Sequence, residues 1–391
     1  MTAKTILCRA QQAAVGLGGR FLRWPRPVCI TGPGSLRRLP ALLREAGVKK
    51  PLIVASRRQL ADPSFAAVAE GLGEYVTFSD VPANPPVETV EAVAALYRRS
   101  GCDGFVAIGG GSPMDAAKAA AARIARPDRT VAQMGGLMKV GRTIPPFIAV
   151  PTTAGTGSET TMAAVVTGAD HHKYALGDLH LIPRYAILDP ALTVSLPPDI
   201  TAQTGMDALT HAVEAYCNRF YNTAETRRLA EEAAADIFRY LPIACANGED
   251  PEAREKLLLA SFQAGCAFTR AGVGNVHAIA HTLGGLYGVG HGLANAVLLP
   301  VVLRDYGAAV TPRLSRLAQC AGIRGGAAGF VDAIFAMNEK LGIPRGFSCI
   351  REEDIPRMTA WADAEANPAY PVPVIYDRAR FAQIIRQIRQ K

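Results

Sequence analysis

The sequence lacks the features of a disulfide-stapled or membrane-spanning protein. Its eight cysteines are scattered, and none forms a CxxC pair. This pattern indicates reduced thiols in a cytoplasmic protein rather than a disulfide scaffold. No uninterrupted apolar run reaches the ~18 residues that a transmembrane helix needs, so no membrane partner is predicted.

The sequence also has little charge and no run of lysine and arginine interleaved with aromatic residues. Only 19% of the residues are charged, and 49% are hydrophobic. The lack of such a run excludes nucleic acid as an expected partner, and the hydrophobic content predicts sizeable cores. The formal net charge of +8 would help to attract an anionic ligand such as a phosphorylated cofactor. Internal repeats and low-complexity tracts are absent.

The N-terminal stretch MTAKTILCRAQQAAVGLGGRFLRWPRP is mildly basic and apolar. A signal or transit peptide is one interpretation. However, the stretch has no clean apolar core that ends in a small-residue cleavage site. We therefore expect a segment that packs on the folded protein.

The first half alternates short apolar strands with helices. Four buried strands are predicted, in PLIVAS (51–56), GFVAIGGGS (104–112), PPFIAVPTTAGTGSE (145–159) and RYAILDP (184–190). Such alternation is typical of an α/β domain whose parallel sheet carries helices on both faces. Ligands of these sheets bind beyond the carboxyl ends of the strands.

The second half loses this alternation and follows helix periodicity. Long helical patterns run through TAQTGMDALTHAVEAYCNRF, TAETRRLAEEAAADIFRYL and PEAREKLLLASFQAGCAF. The two prolines of SLPPDI (195–200) mark the boundary. We predict a dinucleotide-binding α/β domain at 1–196 and an all-helical, metal-binding and catalytic domain at 197–391.

A glycine-rich loop, GGGSPMDAAKAA, joins the second predicted strand to a helix. Glycine lets the backbone approach a ligand closely, and a helix N-terminus offers N–H groups to an anion such as pyrophosphate. The pattern is neither GxGxxG nor a P-loop, so a tight turn that binds nothing stays an alternative. A second polar loop, PTTAGTGSE, at another strand end favours the ligand site.

Three of the seven histidines fall within fifteen residues, at His277, His281 and His291. Asp207 and His211 lie four apart, on one face of a predicted helix. One carboxylate and several imidazoles form a mixed oxygen and nitrogen ligand set that suits divalent iron or zinc. The alternative is a helix cap and ordinary core histidines. The spacing leaves open which histidines bind metal.

Taken together, these stretches resemble the iron-containing (group III) alcohol dehydrogenases along nearly the whole chain. The motifs that carry the resemblance are NPPVETV, CDGFVAIGGGSPMDAAK, PTTAGTGSETT, AILDPALT, TGMDALTHAVEAY and HAIAHTLGGLYGVGHGLANAVLLP. The resemblance implies an α/β dinucleotide-binding domain, an all-helical domain, and an active site in the cleft between them.

The resemblance also assigns residues to roles. It implies that the metal, Fe²⁺ or zinc, is held by Asp207, His211, His277 and His291. His281 would be the catalytic residue that moves a proton. The cofactor positions would be Asn84, Gly109, Gly110, Gly111, Ser112, Thr152, Thr153, Thr161 and Lys173. Asp115, one turn into the glycine-loop helix, either contacts a ligand or stabilises the helix dipole.

One position departs from the family pattern. Many members have an aspartate directly after the first strand, where it binds the adenosine ribose, and this chain has Ser56 followed by Arg57 and Arg58. Loss of the carboxylate removes repulsion of a 2′-phosphate, and an arginine can pair with one. We therefore expect use of NADP(H), alone or beside NAD(H). The alternative is that both arginines point to solvent.

The predicted function is a metal-dependent alcohol dehydrogenase or aldehyde reductase acting on a small primary alcohol or aldehyde. The resemblance implies a homodimer or higher homo-oligomer. Alternatives on the same architecture are a dehydroquinate-synthase-like enzyme, a cofactor-retaining transhydrogenase and a maleylacetate-reductase-like enzyme. A non-enzymatic binding module is the least favoured, since it has no use for both a cofactor groove and an open metal site.

Overall fold

The computed structural model describes residues 3–168 and 173–390. Within them the chain forms two compact units. An α/β unit holds Trp24–Ser195 together with Glu249–Phe262, and a helical unit holds the remaining described residues. Relative to the predicted division at 196, residues 3–23 group with the helical unit and Glu249–Phe262 with the α/β unit.

The strands all lie in the α/β unit. They are β1 (Val28–Thr31), β2 (Pro51–Ala55), β3 (Val76–Phe78), β4 (Gly104–Gly109), β5 (Gly136–Leu137), β6 (Phe147–Pro151), β7 (Ala163–Thr167), β8 (Lys173–Gly177) and β9 (Tyr185–Leu188). Six of them form a parallel sheet in the order β1-β9-β6-β4-β2-β3, and the others a small sheet in the order β5-β8-β7. The predicted α/β fold is confirmed.

The helices occur in both units. They are α1 (Ala3–Gly19), α2 (Leu39–Glu45), α3 (Arg57–Leu60), α4 (Pro63–Ala69), α5 (Val87–Arg99), α6 (Gly111–Ala125), α7 (Pro198–Cys217), α8 (Ala224–Ala246), α9 (Pro251–Ala271), α10 (Asn275–Tyr287), α11 (His291–Tyr306), α12 (Thr311–Cys320), α13 (Gly326–Lys340), α14 (Ile355–Ala366) and α15 (Arg378–Gln387). After residue 195 the described chain contains helices and no named strand, so the predicted change of structure is confirmed.

The four central strands of the large sheet are buried on both faces. Every residue of β2, β4, β6 and β9 is buried, which explains their continuous apolar runs. Leu52 and Phe105 face one core with α5 and α6, and Ile53 and Val106 face the other with α2. Tyr97 of α5 stacks on Phe105 with ring centroids 4.5 Å apart. Each such side chain contributes roughly 1.5–3 kcal/mol when fully buried.

Helix α1 packs on the helical unit, as expected for the N-terminal stretch. Four hydrogen bonds join it to the segment 367–374: Arg9 to the carbonyl oxygens of Val372 and Pro373, at 2.7 and 2.8 Å, and Gln12 to those of Pro368 and Tyr370, at 3.1 and 2.7 Å. Gln12 is fully buried. Because its amide would be costly to bury unpaired, these bonds fix α1 in place.

Two further findings concern the whole described chain. All eight cysteines are free thiols. Among the described residues, no helix has both the length and the apolar composition needed to cross a membrane.

Candidate metal site and cofactor loops

Helix α7 carries three acidic or imidazole side chains on one face. Asp207, His211 and Glu214 follow the i, i+4, i+7 spacing and are 2–4% exposed. Burial of such polar groups is costly unless each has a partner. We therefore expect these three side chains to have polar partners on the elements that pack against this face of α7.

Helices α10 and α11 bring two more histidines to that face. His277 lies in the first turn of α10, and His291 is the first residue of α11. A Cβ on Gly292 would lie 2.4 Å from the carbonyl oxygen of Gln203, so only glycine lets α11 approach α7 this closely. Glycine at 292 thus allows His291 to reach the carboxylate of Asp207.

The structure brings together the four side chains predicted to bind metal. One donor atom from each of Asp207, His211, His277 and His291 lies within 4.8 Å of the others. The Nε2 atom of His291 is 3.5 Å from Oδ1 of Asp207, and the rings of His211 and His277 are 4.7 Å apart. A set of three imidazoles and one carboxylate fits a divalent metal such as iron or zinc.

Glu214 fixes the orientation of His277. Its carboxylate accepts hydrogen bonds from the backbone N–H groups of Gly274 and Val276, at 2.7 and 2.8 Å, and from Nδ1 of His277 at 2.6 Å. Nε2 is therefore the nitrogen that His277 presents to the other three donors. Burial, helped by the neighbouring imidazoles, holds the pKa of His277 well below its ordinary value, so the ring is in the neutral form that binds metals.

Asn295, one turn after His291 on α11, lies at the centre of the group. Its Nδ2 donates to Oδ1 of Asp207 at 2.7 Å and lies 3.2 and 3.1 Å from the Nε2 atoms of His277 and His291. Its buried Oδ1 has no hydrogen-bond partner among the described residues. A buried amide oxygen of this kind beside nitrogen and carboxylate donors also fits a metal centre.

His281 lies beside the four donors and is not one of them. Its ring stacks on that of His291, with centroids 5.1 Å apart and planes 18° apart. Its Nδ1 is 2.6 Å from Oε1 of Glu365 on α14. His281 is thus a fourth imidazole that lies next to the metal group and outside the four donors.

Two aromatic residues, Phe268 of α9 and Tyr287 of α10, have different surroundings. Phe268 stacks on His211, with centroids 4.2 Å apart, and so lies against the metal group. The hydroxyl of Tyr287 instead donates to Asp354 at 2.8 Å and accepts from the backbone of Arg351. Phe268 is the one of the pair that can limit the space around His211.

In the α/β unit, the glycine loop ends β4 and begins α6. Gly109 has φ +155°, and a Cβ there would lie 2.7 Å from Pro113, so glycine is required. The N-cap of α6 is Gly110, and no side chain caps the helix. Uncapped N–H groups at a helix N-terminus suit a phosphate. The predicted pyrophosphate residues Gly109, Gly110, Gly111 and Ser112 are all in this turn.

The second polar loop lies against the first. A Cβ on Gly110 would be 3.3 Å from Oγ1 of Thr153, and one on Gly111 would be 3.2 Å from Thr156. The backbone N–H of Thr152 donates to the carbonyl of Gly109 at 3.0 Å. The ends of β4 and β6 thus form one continuous polar surface.

Two more predicted cofactor residues adjoin the glycine loop. The backbone N–H of Asn84 donates to Oγ of Ser112 at 3.2 Å, and Oδ1 of Asn84 accepts from Nζ of Lys173 at 2.8 Å. Burial lowers the pKa of Lys173 from its ordinary value. Asn84, Ser112 and Lys173 therefore form one cluster at the start of α6.

Ser56 lies at the end of β2 and caps α3. Its hydroxyl accepts from the backbone N–H of Gln59 at 3.3 Å, while the Gln59 side chain accepts from the backbone of Ser56 at 2.9 Å. The Gln59 amide also donates to Oγ1 of Thr152 at 3.3 Å, which links the ends of β2 and β6. Arg57 pairs with Asp80 at 2.8 Å, and Arg58 donates to the carbonyl of Ser195 at 3.1 Å.

Thr161 and Asp115 belong to a buried cluster beneath the loops. Nζ of Lys118 donates to Oγ1 and the carbonyl of Thr161, at 2.9 and 2.8 Å, and contacts both oxygens of Ser158. The Ser158 hydroxyl donates to Asp115 at 2.9 Å. Burial raises the pKa of Asp115 to about 6 and of Glu159 to about 7, and lowers that of Lys118 to about 8. Asp115 and Thr161 thus contact Ser158 and Lys118 inside the protein, where they hold the loops in place.

Sequence reasoning missed four residues of these sites. Glu214 could have been found, since it continues the Asp207 and His211 face by one turn. Lys118 could also have been found as the lone charge within the alanine-rich run of α6. Asn295 and Glu365 gave no signal, because tertiary packing alone brings them to the histidines.

Two family descriptions match the chain. The iron-containing alcohol dehydrogenase description matches residues 27–190, and that of the C-terminal part of the Fe-containing alcohol dehydrogenase family matches residues 201–388. The chain belongs to the iron-containing alcohol dehydrogenase family. Membership supports an oxidoreductase of the alcohol dehydrogenase type with a metal site of aspartate and histidine, as predicted.

Individual members of the iron-containing alcohol dehydrogenase family match over almost their full length. The NAD-dependent methanol dehydrogenase of Bacillus methanolicus is 36% identical over 92% of this chain and 97% of its own. The solved structure of 1,3-propanediol oxidoreductase has a TM-score of 0.90 at 34% identity, over 94% and 100% of the two chains. Sulfoacetaldehyde reductase from Bifidobacterium kashiwanohense, solved with NAD+, has a TM-score of 0.85 at 31% identity, over 94% and 98%.

Proposed function

We propose that this protein catalyses reversible hydride transfer between NAD(P)(H) and a small primary alcohol or aldehyde, with the help of Fe²⁺. The observation that carries the proposal is the convergence of four donor atoms, from Asp207, His211, His277 and His291, within 4.8 Å. In a family named for iron, this set would hold the metal. A divalent metal there supplies Lewis-acid polarisation of an alcohol or carbonyl oxygen.

The protein's own residues would position the metal and handle the proton. Glu214 and Asn295 hold the donor atoms of their neighbours in place, which reduces the reorganisation needed on binding. Phe268 covers one face of His211 and keeps water from it. His281, beside the ligands and paired with Glu365, is placed to hold or release a proton at its ring.

The cofactor would bind to the polar surface of the α/β unit. Its pyrophosphate fits the uncapped N-terminus of α6, where Gly109, Gly110 and Gly111 leave the backbone accessible. Asn84, Ser112 and Lys173 adjoin this turn, and Thr152 and Thr153 continue it. The nicotinamide supplies the hydride chemistry when bound.

The experiment that tests this function combines metal analysis with turnover. Protein purified anaerobically is analysed for iron and zinc, and oxidation of NADH and NADPH is followed with an aldehyde panel. Relatives suggest formaldehyde, 3-hydroxypropanal and sulfoacetaldehyde as first members. About one metal per chain, and activity that a chelator abolishes and the metal restores, is the expected result. Metal-bound protein that consumes neither cofactor would favour a synthase or transhydrogenase.

A His281→Ala variant is expected to keep its metal and lose rate. The imidazole is not among the four donors, and loss of a general acid–base group costs about 10²–10⁴-fold in kcat. Metal content and steady-state kinetics on the same preparation measure both effects. Loss of the metal together with the rate would mean that His281 is a ligand.

We also propose that the enzyme accepts NADP(H), alone or beside NAD(H). The residue directly after β2 is Ser56 and not a carboxylate. The Arg57–Asp80 ion pair is exposed and contributes at most about 1 kcal/mol to stability. Arg57 can therefore exchange Asp80 for a 2′-phosphate at little cost. The methanol dehydrogenase relative is named as NAD-dependent, and the sulfoacetaldehyde reductase was solved with NAD+. Use of NADP(H) would therefore distinguish this protein from both.

A Ser56→Asp variant is expected to raise the KM for NADPH about tenfold or more and leave that for NADH within about twofold. Aspartate keeps the capping role at α3 and adds a charge that repels the 2′-phosphate. Titration of both cofactors at fixed aldehyde measures this, with Arg37→Ala as an exposed-arginine control. A wild type with a strong NADH preference would overturn the proposal.

The expected homo-oligomer remains a prediction, to be measured by light scattering.

A further inference from the structure

The stretch that follows α14 has no assigned part in the proposed reaction. It reads NPAYPVPV, residues 367–374. Tyr370 lies in it, and its hydroxyl donates to Oε1 of Glu365 at 2.6 Å. The same oxygen is 2.6 Å from Nδ1 of His281. One carboxylate oxygen therefore joins this stretch to the histidine beside the metal group.

The charge of the Glu365 carboxylate determines which atoms donate in these two hydrogen bonds. Burial acts to raise the pKa of Glu365, but the nearby His281 and the hydrogen bonds to it outweigh burial, and the pKa lies below its ordinary value. An ionised carboxylate can only accept hydrogen bonds. Nδ1 of His281 must then carry its proton, and Nε2 is the basic nitrogen of the ring.

The stretch that carries Tyr370 is itself held in place. Gln12 donates to the carbonyl oxygens of Pro368 and Tyr370, and Asn275, at the start of α10, donates to that of Val374 at 3.0 Å. The stretch is thus bound on one side by α1 and on the other by the helix that carries His281. Tyr370 has little freedom to leave Glu365.

We propose that Glu365 and Tyr370 are positioning residues for His281, which fix its Nδ1–H tautomer and hold its ring beside His291 with Nε2 as the basic nitrogen. The proposal rests on the proposed proton-handling role of His281. Without the carboxylate, the ring could take the other tautomer, in which Nε2 carries the proton. The ring would then be unable to accept a proton at Nε2 until it had lost the proton already bound there.

The first test is spectroscopic and independent of turnover. Zinc-loaded protein labelled with [15N]histidine gives long-range 15N–1H correlations that separate the two tautomers, and His281→Ala identifies the signal. In the wild type we expect His281 to carry its proton on Nδ1 and to have an unprotonated Nε2. In Glu365→Ala we expect a mixture of tautomers. A wild-type His281 protonated at Nε2 would overturn the proposal.

The second test is kinetic. Glu365→Ala is expected to lower kcat about tenfold to a hundredfold, within the range set by His281→Ala, with the KM for aldehyde and the metal content unchanged. Tyr370→Phe should have a smaller effect of the same kind. Glu353→Gln, at a carboxylate that is 71% exposed, is the matched control and should behave as wild type.

A double variant separates positioning from general damage. Adding Glu365→Ala to His281→Ala should cost no further rate if the carboxylate acts only through the imidazole. An additional fall of tenfold or more would overturn the proposal. If the wild type is active and His281→Ala keeps full rate, the proposed role of His281 fails instead, while the tautomer measurement still tests the positioning itself.

Discussion

A His277→Ala variant is expected to lose bound metal and NAD(P)H-dependent turnover together. His277 is 2% exposed, and its Nε2 is one of only four donor atoms in the group. Even residues that merely orient a ligand change metal affinity about 10–100-fold, so loss of the ligand itself should exceed about 100-fold. The substitution also leaves the buried carboxylate of Glu214 without its imidazole partner.

Metal analysis after equilibrium dialysis, followed by the aldehyde assay, measures both losses. His180→Ala is the matched control, since His180 lies in the α/β unit beside Asp178 and is not one of the four residues of the metal group. It should retain the metal. Turnover by a metal-free His277→Ala protein would contradict the proposed function.

A Lys118→Met variant is expected to lose about 3–5 kcal/mol of stability, because it removes one member of a buried set of charges. The ammonium group is fully buried and contacts the oxygens of Ser158 and Thr161, as well as the carbonyl of Ala163 at 3.2 Å. Methionine can keep much of the apolar packing of the stem but donates no hydrogen bond. The acceptors of the 158–163 loop would then be buried without their donor.

Urea unfolding followed by circular dichroism measures the loss, and hydrogen exchange at residues 158–163 reports whether the loop has loosened. Lys139→Met, at an exposed lysine of the same unit, is the control and should lie within about 0.5 kcal/mol of the wild type. A stability change below about 1 kcal/mol for Lys118→Met would mean that the loop holds its shape without the ammonium.

The parts of the fold that sequence predicts well are those with a strong local signal. The strands β2, β4, β6 and β9 are continuous apolar runs, and all four are where the sequence predicts them. The strands β1 and β3 were missed because they have four and three residues and are only partly buried. A short strand of mixed exposure has no periodicity to read.

The candidate site divides in the same way. Asp207 and His211 share a helix face that local spacing reveals, and the family motifs pointed to His277 and His291. Glu365 is 84 residues from His281 in sequence, and only the packing of α14 on α10 brings the two together. Contacts of that kind depend on tertiary structure and leave no trace in a local pattern.

The hold of α1 on the 367–374 segment has a consequence for tolerance to mutation. Arg9 and Gln12 bind only main-chain oxygens there, and α1 precedes the part of the chain that the family descriptions cover. A substitution at the exposed Ala369 leaves those oxygens available, whereas loss of either α1 side chain removes two bonds at once. The N-terminal helix thus fixes the backbone path of the segment, so the exposed position 369 can change while Tyr370 keeps its place beside Glu365.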